Sequence, residues 1–351
     1  MTTTEQRELI ASVRGLLTKH AGRDALRAAM ETDLGYDPKL WRLLCEQIGV
    51  AGLAIPEEYG GFGASLAESL LVVGELGRVL AGVPMLGSAV LGARAILLSG
   101  DAEACARLLP GVAEGTTTVA VCWAGADGWD EPGVHSDGEK LDGTAHYVLD
   151  GAHAHTLIVV TDAGLFEVSP DASGVTRRAV ATMDPTRKLA EITFEGVNGR
   201  ALGTADPAAT IARLRETAWA AVAAEQVGAA EHCLAMTVEY TKSRVQFGRP
   251  IGSFQALKHR MADMYVLAES ATSTARAAAT AVAESLPSAA EDVWAARRHC
   301  SEAITAITAE TVQLHGGIAI TWEHDAHLYF KRAHATTELF GTPPRPLAHS
   351  A

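Results

Sequence analysis

The sequence predicts an α+β protein, mainly α, in which a helical block, a small β block and a bundle of long helices follow one another. Three observations carry this. Apolar residues recur every three or four positions up to about Gly115, the period falls to two between Thr116 and Val197, and residues 208–244 then run without proline and with Gly228 as their one glycine. The expected units are residues 1–115, 116–198 and 199–351.

In the first block, Leu40, Trp41, Leu44 and Ile48 repeat at helical spacing, and Leu70, Val73, Leu76 and Leu80 do the same. The break Pro56-Glu57-Glu58-Tyr59-Gly60-Gly61-Phe62-Gly63 offers glycines to a phosphate, but no strand followed by G-x-G-x-x-G supports that, so it reads as a turn. In the β block, Val119, Val121 and Leu157-Ile158-Val159-Val160 read as strands, with Asp142-Gly143 and Asp150-Gly151 as hairpin turns. An alternating strand, Ile192-Thr193-Phe194-Glu195-Gly196-Val197, closes it before Asp206-Pro207 punctuates the chain. Residues 208–244 permit a helix of roughly 50 Å at 1.5 Å per residue. A second helix is expected over 253–286. A third starts at Ser288, with Glu291 at capping-box spacing, and stops at Gly316-Gly317, where glycine suits a left-handed helix end.

At 351 residues and 48% hydrophobic, with positive mean hydropathy, the chain can bury a large core. Its 29 basic and 42 acidic residues give a charge of -13, which argues against a nucleic-acid surface. Five well-separated cysteines form neither a disulfide framework nor a metal pattern and fit a reducing cytoplasm. His153 and His155 stand at i and i+2, but no further ligand cluster follows them, so a turn or strand-edge role is expected. The first residues lack the basic and apolar regions of a signal peptide, and no uncharged run is long enough for a membrane span.

The stretch Arg244-Val245-Gln246-Phe247-Gly248-Arg249-Pro250-Ile251-Gly252-Ser253-Phe254-Gln255 joins two long apolar-periodic segments and sets a cation beside a tight turn. It resembles the Arg-x-Gln-Phe-Gly-x-Pro-Ile-x-x-Phe-Gln signature of the acyl-CoA dehydrogenase family. Gln313-Leu314-His315-Gly316-Gly317 resembles a second signature of that family, and the order of the three blocks matches it too. The resemblance covers nearly the whole chain and implies a C-terminal four-helix bundle that carries cofactor contacts and an oligomer interface. It further implies that Arg244, Gln246 and Phe247, with Gln313, His315, Gly316 and Gly317, touch an FAD held mainly by a neighbouring subunit, the arginine by a charge-assisted bond to phosphate. Taken alone, Arg244 reads as a solvated helix-end cation and 313–317 as a helix cap.

The departures are equally informative. Catalytic members bed their own flavin ring on a Thr-Glu-Pro-x-x-Gly-Ser-Asp segment and a Trp-Ile-Thr segment. Here those places read Cys122-Trp123-Ala124-Gly125-Ala126-Asp127-Gly128 and Ala152-His153-Ala154-His155-Thr156-Leu157. Dehydrogenation of an acyl thioester needs a carboxylate to take the α-proton. The family places that glutamate before a Gly-Thr near the C-terminus, where this chain has Phe340, or in the long helix, near Ala218 here with Glu216 and Glu225 off register. Glu338 is the carboxylate a displaced base would use, and otherwise a surface residue of a last helical turn. The segment Thr321-Trp322-Glu323-His324-Asp325-Ala326-His327-Leu328-Tyr329-Phe330-Lys331-Arg332 replaces the usual Arg-Asp ending of this region, a departure on the substrate side as well.

The expectation is therefore a non-catalytic subunit that completes a partner's FAD site in an α2β2 acyl-CoA dehydrogenase, resembling the actinobacterial heteromers that act on bulky sterol-side-chain acyl-CoA. Electron-transfer flavoprotein would be the acceptor. Two rivals stand beside it: a self-sufficient homotetrameric dehydrogenase with a displaced base, and a helical assembly or CoA-binding module without flavin.

Overall fold

The computed structural model describes residues 3–203 and 206–342. Helices α1 (Thr4–His20), α2 (Arg23–Met30), α3 (Pro38–Ile48), α4 (Leu66–Arg78), α5 (Ala93–Ser99) and α6 (Ala102–Ala113) form the first block. Their starts are written in side chains. Asp37 accepts the Lys39 N–H ahead of Pro38 in α3, and Ser65 and Glu68 close a reciprocal capping box on α4. Leu40, Trp41 and Leu44 are buried from α3, as are Leu70, Val73 and Leu76 from α4. Leu80 is buried too, but it lies beyond α4 at φ 54°, so the turn and not the helix face delivers it to the core. The 56–63 break is a packing turn, in which a Cβ on Gly61 would come within 2.0 Å of the Ile55 carbonyl oxygen.

The β block runs through β1 (Val119–Cys122), β2 (Ala124–Gly125), β3 (Gly128–Pro132), β4 (Val134–Ser136), β5 (Lys140–Leu149), β6 (Thr156–Thr161), β7 (Gly164–Val168), β8 (Val175–Val180), β9 (Leu189–Asn198) and β10 (Arg200–Leu202). Two four-stranded sheets form, in the orders β1-β6-β7-β10 and β4-β5-β9-β8, with β2 and β3 paired separately. Ala120, Cys122, Leu157 and Val159 of the first meet Leu141, Ala145, Ile192 and Phe194 of the second in one buried cluster.

Two turn expectations need correction. Asp142-Gly143 makes no hairpin turn; it lies inside β5 at a register shift, with Gly143 at φ 130° and pressed on the Gly133 carbonyl. A bulge uses the same glycine freedom as a turn, so the dipeptide does not tell them apart. The β4–β5 reversal falls at residues 137–139, where the Asp137 carboxylate accepts the N–H groups of Glu139 and Lys140. Asp150-Gly151 does turn the chain, with Asp150 at φ 53°, but it carries it from one sheet to the other.

The last block begins with α7 (Pro207–Ser243), capped by Asp206 on the Ala209 N–H. A two-strand ribbon, β11 (Val245–Gln246) and β12 (Arg249–Pro250), leads to α8 (Gln255–Ala283), and α9 (Ala289–His315) and α10 (Ala326–Glu338) complete a four-helix bundle. Gly228 is the contact point of α7 with α4: a Cβ there would sit 1.8 Å from the Gly74 carbonyl oxygen. The expected capping box at Ser288 does not form. Ser288 already has helical φ and ψ, -82° and -3°, and its side chain makes no cap bond. Arg332, 2% exposed, ties α10 to the β block through Asp184 at 2.6 Å and to α7 through Glu225 at 2.7 Å. Among the described residues no helix is long and apolar enough to cross a membrane.

Candidate cofactor-binding site

At the end of α7 the Arg244 N–H donates to the Tyr240 carbonyl at 2.8 Å, and the Ile251 N–H returns to the Arg244 carbonyl at 2.8 Å. Between them β11 and β12 reverse through Phe247 and Gly248, at φ 52° and 74°. Positive φ at both central residues is the geometry of a two-residue hairpin whose twist matches its strands. Glycine suits it; a phenylalanine there bears a left-handed penalty of about 1–2 kcal/mol. Phe247 is nonetheless 91% exposed. Arg244 and Gln246 are exposed beside it; Arg244 has no ion pair among the described residues, and the Gln246 amide donates to its neighbour's carbonyl, that of Val245.

The end of α9 meets the same place. Tyr240 stacks on His315, ring centroids 4.3 Å apart, and its O–H donates to the His315 carbonyl at 3.2 Å. His315 is buried; its Nδ1–H donates to the Thr311 carbonyl at 2.7 Å, and Nε2 has no partner. Burial pushes its pKa down, with His324 adding and the Thr311 bond opposing, so the ring is neutral at pH 7. Gln313 is exposed. Gly316 has φ 66° and ψ -147°, a region essentially closed to other residues. Gly317 has nothing within 4 Å of a Cβ position, so packing within the chain does not demand a glycine there. An unpaired cation, a free amide and an open glycine at one end of the bundle suit an anionic group arriving from outside the chain.

The position in line for a base is different. Phe340 is 4% exposed and packs edge-on to Trp129, centroids 4.8 Å apart. Its carbonyl accepts the Trp219 indole N–H at 2.8 Å. Trp123, from the segment that stands where a flavin bed would be, meets Trp129 at 6.1 Å, and Arg215 lies 5.3 Å over the Trp123 ring. Buried Arg297 donates to the carbonyls of Thr336, Thr337, Leu339 and Gly341, locking the backbone on both sides of Phe340.

The carboxylates are scattered. Ala218 is buried; Glu338 is exposed at the end of α10. Burial raises the Glu216 carboxyl, with Arg213 and Arg94 opposing. Burial alone would raise Glu225 too, but its ion pairs with Arg187 and Arg332 outweigh that and hold it below the usual range. His155 serves β1, its Nδ1 accepting the Thr118 N–H at 3.1 Å, and the described residues include no group of three or more potential metal ligands.

Tyr240, Trp129 and Arg297 were not singled out by sequence reasoning. Tyr240 had a signal: four residues before Arg244, it shares that residue's helix face.

The acyl-CoA dehydrogenase N-terminal domain model matches residues 3–116, and the C-terminal domain model matches 211–343. The acyl-CoA dehydrogenase IpdE2 of Mycobacterium tuberculosis is 44% identical over 98% of this chain and 95% of its own. A Tcur3481-Tcur3483 steroid ACAD variant superposes with a TM-score of 0.88 at 32% identity, covering 96% of this chain and 94% of the other. For the ChsE4-ChsE5 complex of Mycobacterium tuberculosis the TM-score is 0.87 at 30% identity, with 97% and 94% covered. With both domain models matched and a 44% identical relative spanning its length, this chain belongs to the FAD-dependent acyl-CoA dehydrogenase family.

Proposed function

We propose that this chain is the cofactor-completing subunit of a heteromeric acyl-CoA dehydrogenase and holds no catalytic base of its own. The observation that carries the reading is Phe340, packed on Trp129 where the family keeps a glutamate. A phenyl ring accepts no proton, and a base must come within about 3 Å of the atom that bears it. Glu225 is held by two guanidinium groups, and Glu338 points from an exposed helix end. None of the residues 216, 225 and 338 is assigned the proton transfer.

Arg244, Gln246, Phe247, Gln313, His315, Gly316 and Gly317 would complete the FAD site of a partner subunit, Arg244 at the pyrophosphate. The bound flavin supplies acceptance of the hydride lost from the acyl β-carbon. The partner supplies the carboxylate and the bed of the flavin ring, in an α2β2 assembly with electron-transfer flavoprotein as acceptor. Likeness to a steroid ACAD variant and to the ChsE4-ChsE5 complex supports a bulky acyl-CoA substrate and a heteromer. The units 1–115, 116–198 and 199–351 and a cytoplasmic site of action complete the proposal.

Co-expression with the acyl-CoA dehydrogenase chain that co-purifies with it tests the reading. The expected product is a yellow complex with about one FAD per pair of chains, and a colourless product from this chain alone. A full FAD per chain in a homotetramer of this chain overturns it in favour of the self-sufficient enzyme; a colourless complex favours the flavin-free module.

A further inference from the structure

Tyr240 is used from both its backbone and its side chain. Its carbonyl accepts the Arg244 N–H at 2.8 Å and the Ser243 hydroxyl at 3.0 Å, which fixes the end of α7 under Arg244. Its ring covers the imidazole of His315 at an interplanar angle of 27°, and its O–H donates to the His315 carbonyl. That carbonyl belongs to the last residue of α9, where no intrahelical donor remains. One turn earlier, the Thr237 hydroxyl donates to that of Thr311, so α7 and α9 are laced together up to the glycines.

We propose that Tyr240 is a positioning residue that couples the two signatures, its O–H fixing the His315 carbonyl and so the path of the Gly316-Gly317 turn toward the cofactor. The inference rests on the proposal above that this chain completes a partner's FAD site. Tyr240 touches no cofactor itself; it acts through backbone that does. His315 fits the same role: its Nδ1–H is anchored on Thr311, so the stack with Tyr240 holds a ring that cannot swivel freely.

The test is FAD retention by the co-expressed complex, followed as flavin fluorescence released on dilution, together with the melting midpoint of the apo complex. Tyr240→Phe keeps the stack and removes one hydrogen bond, which corresponds to an affinity loss of about 2- to 12-fold. Tyr240→Leu removes the stack as well and should lose more. The melting midpoint should fall by no more than one hydrogen bond's worth in Tyr240→Phe, and the FAD loss of that variant should combine less than additively with that of Gly317→Ala, because both act on one turn. Arg244→Ala is the control, with an expected loss of about 10- to 150-fold for a charge-assisted bond. If Arg244→Ala loses FAD and Tyr240→Phe does not, the positioning role is overturned and the cofactor-completing role stands. If neither loses FAD, both readings fail together. A Tyr240→Phe loss that follows a falling melting midpoint and adds fully to Gly317→Ala assigns the residue to general stability and overturns the proposal.

Discussion

Phe247 and Phe340 both hold positive φ, 52° and 64°, yet one is 91% exposed and the other 4%. A left-handed phenylalanine is strained by about 1–2 kcal/mol in either place. At 340 the chain itself offsets the strain: Trp129 covers the ring, Trp219 takes the carbonyl, and Arg297 holds the flanking backbone. At 247 the ring has an edge contact with Phe254 at 6.1 Å and otherwise faces outward. Strain that its own fold over-determines belongs to a structural position; strain left without compensation in the chain points to a partner that supplies it. Phe340, the residue proposed to stand in place of a base, is core, and Phe247, in the hairpin proposed to meet a neighbour, is largely free of the chain's own packing.

The largest expected effect breaks the packed side of this comparison. Phe340→Ala removes a buried ring and should destabilise the chain by about 3–5 kcal/mol, read as a shift in the urea midpoint. A loss under about 1 kcal/mol would mean that the position is loosely filled. The aromatic closure would then no longer support the proposal that this chain holds no base.

Acidification acts on the other side. His232, stacked on Tyr329, is pushed down to about 4, chiefly by burial, with Arg78 adding and Asp325 opposing. His315, His324 and His327 are pushed down by burial as well. An unfolded imidazole titrates near 6.5, so below that pH the unfolded chain takes up protons that the native one refuses. The stabilisation from neutral histidines is complete above about pH 6.5 and is lost as pH falls toward 4. For His232 it is on the order of 3 kcal/mol. Trp123, Trp129 and Phe340 do not titrate in that window. Hydrogen exchange corrected for its intrinsic rate should therefore show protection at residues 311–317 falling between pH 7.5 and 5 while that at 339–341 holds. Equal loss at both ends would remove the distinction.

How much of this was legible in the sequence divides along the same line. The long helices followed from a run without proline and with one glycine and from their stop residues, and the four-helix bundle from the family resemblance. The tight turn after Arg244 and the glycines at 316 and 317 were legible as motifs of the family the chain resembles, and at Gly248 and Gly316 the positive φ itself favours glycine. The aromatic closure was not. Trp123, Trp129, Trp219 and Phe340 come from distant segments and meet through tertiary packing, and no local pattern marks a ring that will join such a cluster. Ser288 and Asp142-Gly143 misled for the converse reason: a cap-forming serine or an Asp-Gly pair satisfies several local geometries, and the surrounding fold selects among them.

The smallest expected effect sharpens the comparison most, because it changes the same residue type in the same backbone conformation. Phe247→Gly removes a Cβ from a left-handed position, a gain of about 1–2 kcal/mol, against a glycine entropy cost of about 0.5–1 kcal/mol. With the ring 91% exposed, little burial is lost, so urea unfolding of the chain should show stability unchanged or raised by roughly 1 kcal/mol. Phe340→Gly would relieve the same strain and still lose several kcal/mol with its buried contacts. In the co-expressed complex the order should reverse at position 247, with Phe247→Gly weakening FAD retention or subunit assembly although the chain is no less stable. A variant that unfolds more than about 1 kcal/mol earlier would show that the turn packs within its own chain. Phe247 would then be a second structural phenylalanine, and the free end of the bundle would lose its main mark of a surface kept for a partner.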